Sequence, residues 1–220
     1  NNSKLFIAEP AVAMKKSFID GIKTNNAHTK KMTVISVGRL MYIKNFKMTV
    51  LAFNEFLTKN PDANAELTII GKGEDKHSLQ ALVKGLGIEK KVNFVGQIPL
   101  DDVFNEFKKA DVFLFPTLEN AGFVFLEAMS FSLPVVGLNY GGAQQFIKSN
   151  ITSQLVSSKH EYNKIVDQLA ENINDFYADE QQRIKVGKNN QEDLIKHFTW
   201  EAKAEKMLRI YQKLLNDEIF

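Results

Sequence analysis

The chain has 220 residues, 44% of them hydrophobic and 25% charged, with a formal net charge of +2 and no cysteine. That length suits one large domain or two small ones. The near-neutral charge argues against a nucleic-acid partner, which asks for a clearly basic face, and the lack of cysteine excludes a disulfide scaffold and thiolate zinc sites.

The opening residues do not read as a signal peptide, and no apolar run approaches the roughly 20 residues that span a bilayer. Over residues 1–31, "KLFIAEPAV" suits an extended segment and "GIKTNNAHTKK" a polar loop. A regular alternation then begins. "TVISVG" (33–38) is β-branched and stops at glycine, which predicts a strand. "FKMTVLAFNEFLTKN" (46–60) has helical spacing and stops before Pro61. "ELTIIG" (66–71) is a second strand, and "KHSLQALVKGLG" (76–87) a helix with a glycine stop. "VNFVG" (92–96) is a third strand. "LDDVFNEFKKA" (100–110) is a helix with Asp near its start and Lys near its end, as the helix dipole favours. "DVFLFP" (111–116) makes a fourth strand, Phe123 to Phe131 a helix, "PVVGL" (134–138) a fifth strand and "SQLVS" (153–157) a sixth. Helices over 161–177, 179–197 and 199–216 close the chain, the last with Thr199 as N-cap.

Strands apolar on both faces and separated by helices predict a doubly wound, Rossmann-like α/β domain: a parallel sheet with helices on both faces. The expected division is a linker over 1–31, the Rossmann-like domain over 32–198 and a C-terminal helix over 199–220. Ligands of such a sheet sit at the carboxyl ends of its strands, so the loops there hold the candidates. After the first strand come Arg39 and Lys44, a fork and a point charge that suit a diphosphate. With one glycine in that loop, the dinucleotide fingerprint G-x-G-x-x-G is absent, which argues against a dehydrogenase. "GKGED" brings Gly71 and Gly73, which let backbone and ligand approach closely. "GQIP" places Gly96, Gln97 and Ile98 on the same rim, with backbone groups for a base.

After the fourth strand, "PTLENAG" leads into a helix whose positions 123–131 carry only Glu127 and Ser130 as polar residues. A buried carboxylate needs a partner: a cation, backbone donors, or a ligand with paired hydroxyls. Glu119 lies just before that helix, and the amides near Gly122 form an anion site. Together these residues suit a diphosphate joined to sugar hydroxyls.

The ordered set resembles the C-terminal, donor-binding half of a family-4 retaining glycosyltransferase of GT-B architecture. E-x7-E stands as Glu119 to Glu127, and "VGRLMYIKN", "ELTIIGKGED", "VNFVGQIP", "YGGAQQFI" and "FTWEAKAEKMLRIYQKLL" follow the family's order over about Met32 to Leu215. The resemblance implies transfer of a sugar, with retention, from a nucleotide diphosphate sugar to a glycan or lipid-linked acceptor. A UDP-sugar is the favoured donor because it is commonest in such families, and bacterial surface polysaccharide or lipopolysaccharide O-antigen synthesis is the expected setting. By carry-over Arg39 and Lys44 hold the diphosphate and stabilise the leaving group. Glu127 binds the ribose and Glu119 meets the donor sugar near the reacting centre, while Gly73, Gln97, Ile98, Gly122, Phe123 and Val124 line the ligand. No cofactor and no metal are implied: there is no D-x-D motif, and His28, His77, His160 and His197 lie far apart. The resemblance also implies an acceptor domain outside this chain, with "FIAEPAV" like the stretch that links the halves. The isolated domain is thus expected to bind nucleotide weakly and transfer little. Expected surroundings are the cytoplasm and a peripheral contact with the inner membrane face through a lipid-linked acceptor. Asn120, Ala121, Gln144 and Gln145 depart from the family's usual residues, which leaves donor-sugar preference open. Rival readings are a nucleotide-sugar epimerase or phosphorylase on the same fold, and a non-catalytic nucleotide-binding module. A phosphorylase needs a cofactor lysine, and the sequence assigns none to that role.

Overall fold

The structure, a computed structural model, describes residues 11–12, 14, 18–19, 31–147 and 155–215. Six parallel strands make one sheet: β1 (Met32–Val37), β2 (Ala65–Ile70), β3 (Val92–Gly96), β4 (Val112–Phe115), β5 (Val135–Asn139) and β6 (Leu155–Ser157). Their order is β3-β2-β1-β4-β5-β6. β4 is buried at every position and β2 at all but Glu66, which is why these segments are apolar on both faces. β1 pairs with β2 along its full length, from Met32 opposite Ala65 to Val37 opposite Ile70, and with β4 through Val34 opposite Val112.

The helices are α1 (Phe46–Lys59), α2 (Lys76–Gly85), α3 (Leu100–Lys109), α4 (Phe123–Ser130), α5 (Gly141–Phe146), α6 (Tyr162–Ala178), α7 (Glu180–His197) and α8 (Trp200–Leu215). α1 packs against α2 and α6, and α4 against α7. The step from β1 to β2 runs along the sheet in one direction and the step from β4 to β5 in the other. Right-handed crossovers therefore put α1 and α4 on opposite faces. The result is the expected Rossmann-like sheet with helices on both faces.

Expected strands and helices that fall on described residues lie within two residues of the observed ones. Ser153, Gln154 and most of the segment 1–31 lie outside the described residues. Of that segment, Val12 and Ile19 are buried in the core, and the Val12 amide donates to Phe198 O at 2.7 Å. Thr199 caps α8 as expected, its hydroxyl accepting from the Ala202 amide at 3.2 Å. Three short elements among the described residues add to the expected set: α5, and 3₁₀ turns over Tyr42–Lys44 and Glu89–Lys91.

A file of phenylalanine rings runs through the core from α3 to the first residue of α1. Phe104, Phe131, Phe107, Phe113, Phe125, Phe115 and Phe46 follow one another with centroids 5.3 to 5.9 Å apart. These are the separations at which tilted and edge-on aromatic pairs attract. At the opposite rim from the strand ends, Asp111 accepts from the Thr33 amide at 2.8 Å and pairs with Arg183 at 3.3 Å. That clip ties α7 to the sheet and leaves the other rim to the loops.

Candidate functional site

β1 and β4 are neighbours, and their helices leave on opposite faces. The loops beyond them splay apart and open a crevice, the general ligand position in such sheets. On one side the β1 loop runs through Arg39 and the 3₁₀ turn to Lys44. It enters α1 through Asn45, which is left-handed at φ 55°. On the other side the β4 loop runs from Pro116 to Gly122, left-handed at φ 56°, which opens α4. A side chain at Gly122 would press on the Phe125 ring at 2.7 Å, so both conformation and space require glycine there.

The two loops are bonded to each other. Asn45 Nδ2 donates to Pro116 O at 3.1 Å, and the Leu118 amide donates to Ile43 O at 3.0 Å. Across the crevice the Lys44 ammonium forms an ion pair and hydrogen bond with Glu119 Oε2. Both side chains are mostly shielded from solvent, which strengthens the pair relative to a surface one.

Two cavities flank the end of β1 and share Val37 and Gly38. One, of about 300 Å³, is lined by Lys44, Glu119, Gly122, Phe123, Val124 and Glu127. The other, of about 310 Å³, is lined by Arg39, Gly71, Lys72, Gln97, Ile98 and Val103. Nine of the ten sequence-predicted residues thus line one crevice, divided between a half with a carboxylate pair and a lysine and a half beside the β3 loop. Gly73 is the exception. It lines neither cavity, and a Cβ there would lie 2.0 Å from Leu40 O. Its glycine is required by contact with the β1 loop, not by an approaching ligand. A groove of about 700 Å³ crosses α1, α2 and α6 and is lined by Tyr42, Phe46, Leu79, Leu138, Tyr162 and Ile165. None of the sequence-predicted residues faces it.

Glu127 sits on the second turn of α4, mostly buried, and burial raises its carboxyl above the ordinary value of 4.5. No described residue donates to its carboxylate. The amides of Gly122, Phe123 and Val124 likewise donate to nothing described, and no side chain caps the helix. The N-terminus of α4 thus offers free donors and the positive end of its dipole to the same cavity that holds Lys44. Three groups favouring anions and two carboxylates that accept hydroxyls share a space suited to a phosphorylated sugar.

The described residues contain no group of three metal-ligating side chains, and no helix among them is long and apolar enough to cross a membrane. Lys72 and Ala121, which also line the cavities, escape sequence reasoning. So do Asn45 and Thr117, which bond the loops together. The signal for Asn45 is a residue tolerant of left-handed backbone placed directly before a helical pattern.

The sequence profile of the glycosyl transferases group 1 family matches residues 19–193. A glycosyltransferase of Methanocaldococcus jannaschii is 30% identical over 180 residues, covering 81% of this chain and 44% of that protein. The GDP-mannose-dependent alpha-(1-6)-phosphatidylinositol monomannoside mannosyltransferase of Mycobacterium tuberculosis is 27% identical over 186 residues, 81% of this chain and 46% of that protein. The chain spans about half the length of these curated relatives. The pneumococcal O-GlcNAc transferase GtfA, solved with UDP and GlcNAc, shares the fold at a TM-score of 0.72 and 19% identity, over 98% of this chain and 41% of that one. A six-stranded Rossmann-like sheet, a crevice at its switch point and a profile match over most of its length agree: the chain belongs to the glycosyl transferases group 1 family and has the fold of one half of a GT-B glycosyltransferase.

Proposed function

We propose that the chain is the donor-binding half of a retaining glycosyltransferase that takes a nucleotide diphosphate sugar. The observation that carries this reading is the convergence of Lys44, Glu119, Glu127 and the open N-terminus of α4 on one cavity. Lys44 and Arg39, with the amides of Gly122 to Val124, hold the diphosphate. As the bond from the anomeric carbon to the phosphate oxygen breaks, negative charge collects on the departing diphosphate. Fixed cations and helix amides stabilise that charge. Glu119 accepts hydrogen bonds from donor-sugar hydroxyls, and Glu127 accepts from the ribose with both carboxylate oxygens. Gln97 and Ile98 present backbone groups to the base. The reading needs no metal ion, because the charge work falls to these groups.

The favoured donor is a UDP-sugar, with a glycan or lipid-linked acceptor and a place in bacterial surface polysaccharide or O-antigen synthesis. The solved GtfA complex holds UDP, whereas the mycobacterial relative is named for GDP-mannose, so both nucleotides belong in the test. The acceptor is met by the part of the relatives that this chain does not cover, at a membrane face when the acceptor is lipid-linked. The chain alone therefore binds donor and transfers little.

Calorimetric titration of the chain with UDP, GDP, ADP and their sugars checks this reading. One diphosphate should bind, and Glu127→Ala should weaken it about tenfold or more, the loss of two hydrogen bonds to a charged group. Absence of binding by every nucleotide, or an unchanged affinity in Glu127→Ala, overturns the donor site. Sustained sugar transfer by this chain alone overturns the division of labour.

A further inference from the structure

We propose that Thr117 is a positioning residue of this site: its hydroxyl sets the Lys44–Glu119 pair. The inference rests on the donor-site reading above. Thr117 is 2% exposed and lines neither cavity, so it does not meet a ligand. Its Oγ1 donates to Ile43 O at 3.1 Å and accepts from the Glu119 amide at 3.2 Å. One hydroxyl thus touches the carbonyl that precedes Lys44 and the amide of Glu119 itself.

The surrounding bonds show why this hydroxyl is the crossing point. The Leu118 amide also donates to Ile43 O, at 3.0 Å, and Asn45 Nδ2 reaches back to Pro116 O at 3.1 Å. Each backbone neighbour of Lys44 is therefore tied to the β4 loop. Behind the loop, the Gly142 amide donates to Glu119 O at 3.4 Å. Glu119 is held on its amide side by Thr117 and on its carbonyl side by α5. Lysine and glutamate carry several free torsions each, so a persistent pair between them needs fixed backbones. Thr117 fixes the distance between those two backbones. Valine has nearly the same shape and neither bond. In a Thr117→Val chain Ile43 O keeps Leu118, whereas the Glu119 amide loses its partner, so the damage falls on Glu119 and not on the core.

The test compares Thr117→Val, Thr117→Ser and Lys44→Ala in the 220-residue chain. It reads the affinities for UDP and for uridine, which lacks phosphate, and the carbon-13 resonance of the Glu119 carboxylate without nucleotide. Thr117→Val should weaken UDP about tenfold, the scale of one lost hydrogen bond, and leave uridine unchanged. Thr117→Ser, which keeps the hydroxyl, should restore UDP binding to within about twofold of the parent. On the Lys44→Ala background Thr117→Val should add less than about twofold, because the two act through one cation. The nucleotide-free Glu119 resonance should move in Thr117→Val in the same direction as in Lys44→Ala. Unchanged UDP affinity, an equal loss for uridine, a full loss on the Lys44→Ala background or an unmoved Glu119 resonance overturns the inference. A parent chain that binds no nucleoside diphosphate overturns the donor-site reading instead, and the Glu119 resonance then decides whether Thr117 sets the pair.

Discussion

Glu127 is a carboxylate held where burial works against its charge and no described side chain compensates. Its folded-state ionisation is raised above the ordinary value of 4.5. Below that value the group is protonated in both folded and unfolded chains and costs nothing. As pH rises the unfolded chain ionises first, so stability falls until the folded carboxyl also ionises, and the loss persists above that point. Glu127→Gln should therefore stabilise the chain at pH 7 and leave it unchanged at pH 4, read from urea unfolding at the two values. Equal effects at both values would contradict an unpaired carboxylate. The oddity of Glu127 is legible in the sequence, because its neighbours from Phe123 to Phe131 are apolar. The state of Glu119 is not. Its partner Lys44 lies 75 residues away, and only the adjacency of β1 and β4 brings them together.

At the scale of elements, the turn from α4 to β5 carries an avoidable cost. Ser132 is left-handed at φ 56°, a conformation that costs an L-residue roughly 1 kcal/mol. Ser132→Gly removes that strain and gives back about 0.5 kcal/mol in unfolded-chain entropy, for a net gain of about 0.5 kcal/mol in chemical denaturation. Gly187, on α7, faces the same turn: a Cβ there would lie 1.9 Å from Ser132 O. Backbone oxygen cannot yield as a flexible side chain does, so Gly187→Ala should push α7 from α4 and cost about 2 kcal/mol or more. A midpoint unchanged by Gly187→Ala would show that α7 does not rest on this turn. Elements of strong period, such as β4 and α6, are legible from their apolar pattern alone. The 3₁₀ turn over Tyr42–Lys44 and the six-residue α5 are not, because each is too short to repeat a pattern and is shaped by its neighbours. The glycine pattern is readable only in part: Gly122 serves the start of α4, whereas Gly73 answers to Leu40.

At the scale of the molecule, one sheet with a single reversal of winding gathers residues from 37 to 127 into one crevice. The order of strands and helices is legible, and the parallel sheet follows from it. The division of the rim into two cavities depends on how far each loop leans over the strand ends, which tertiary bonds such as Asn45 to Pro116 decide. The Lys44–Glu119 pair spans that reversal, so the crevice holds its own best cation in place before any anion arrives. A lysine aimed in advance meets a phosphate without first giving up its torsional freedom. Glu119→Gln should accordingly lower the affinity for UDP, as Thr117→Val should, which competition calorimetry would reveal. A rise in UDP affinity would mean that Glu119 occupies Lys44 more than it orders it. One carboxylate thus serves both ends of the crevice, cocking the lysine that faces the phosphate from the loop that faces the sugar.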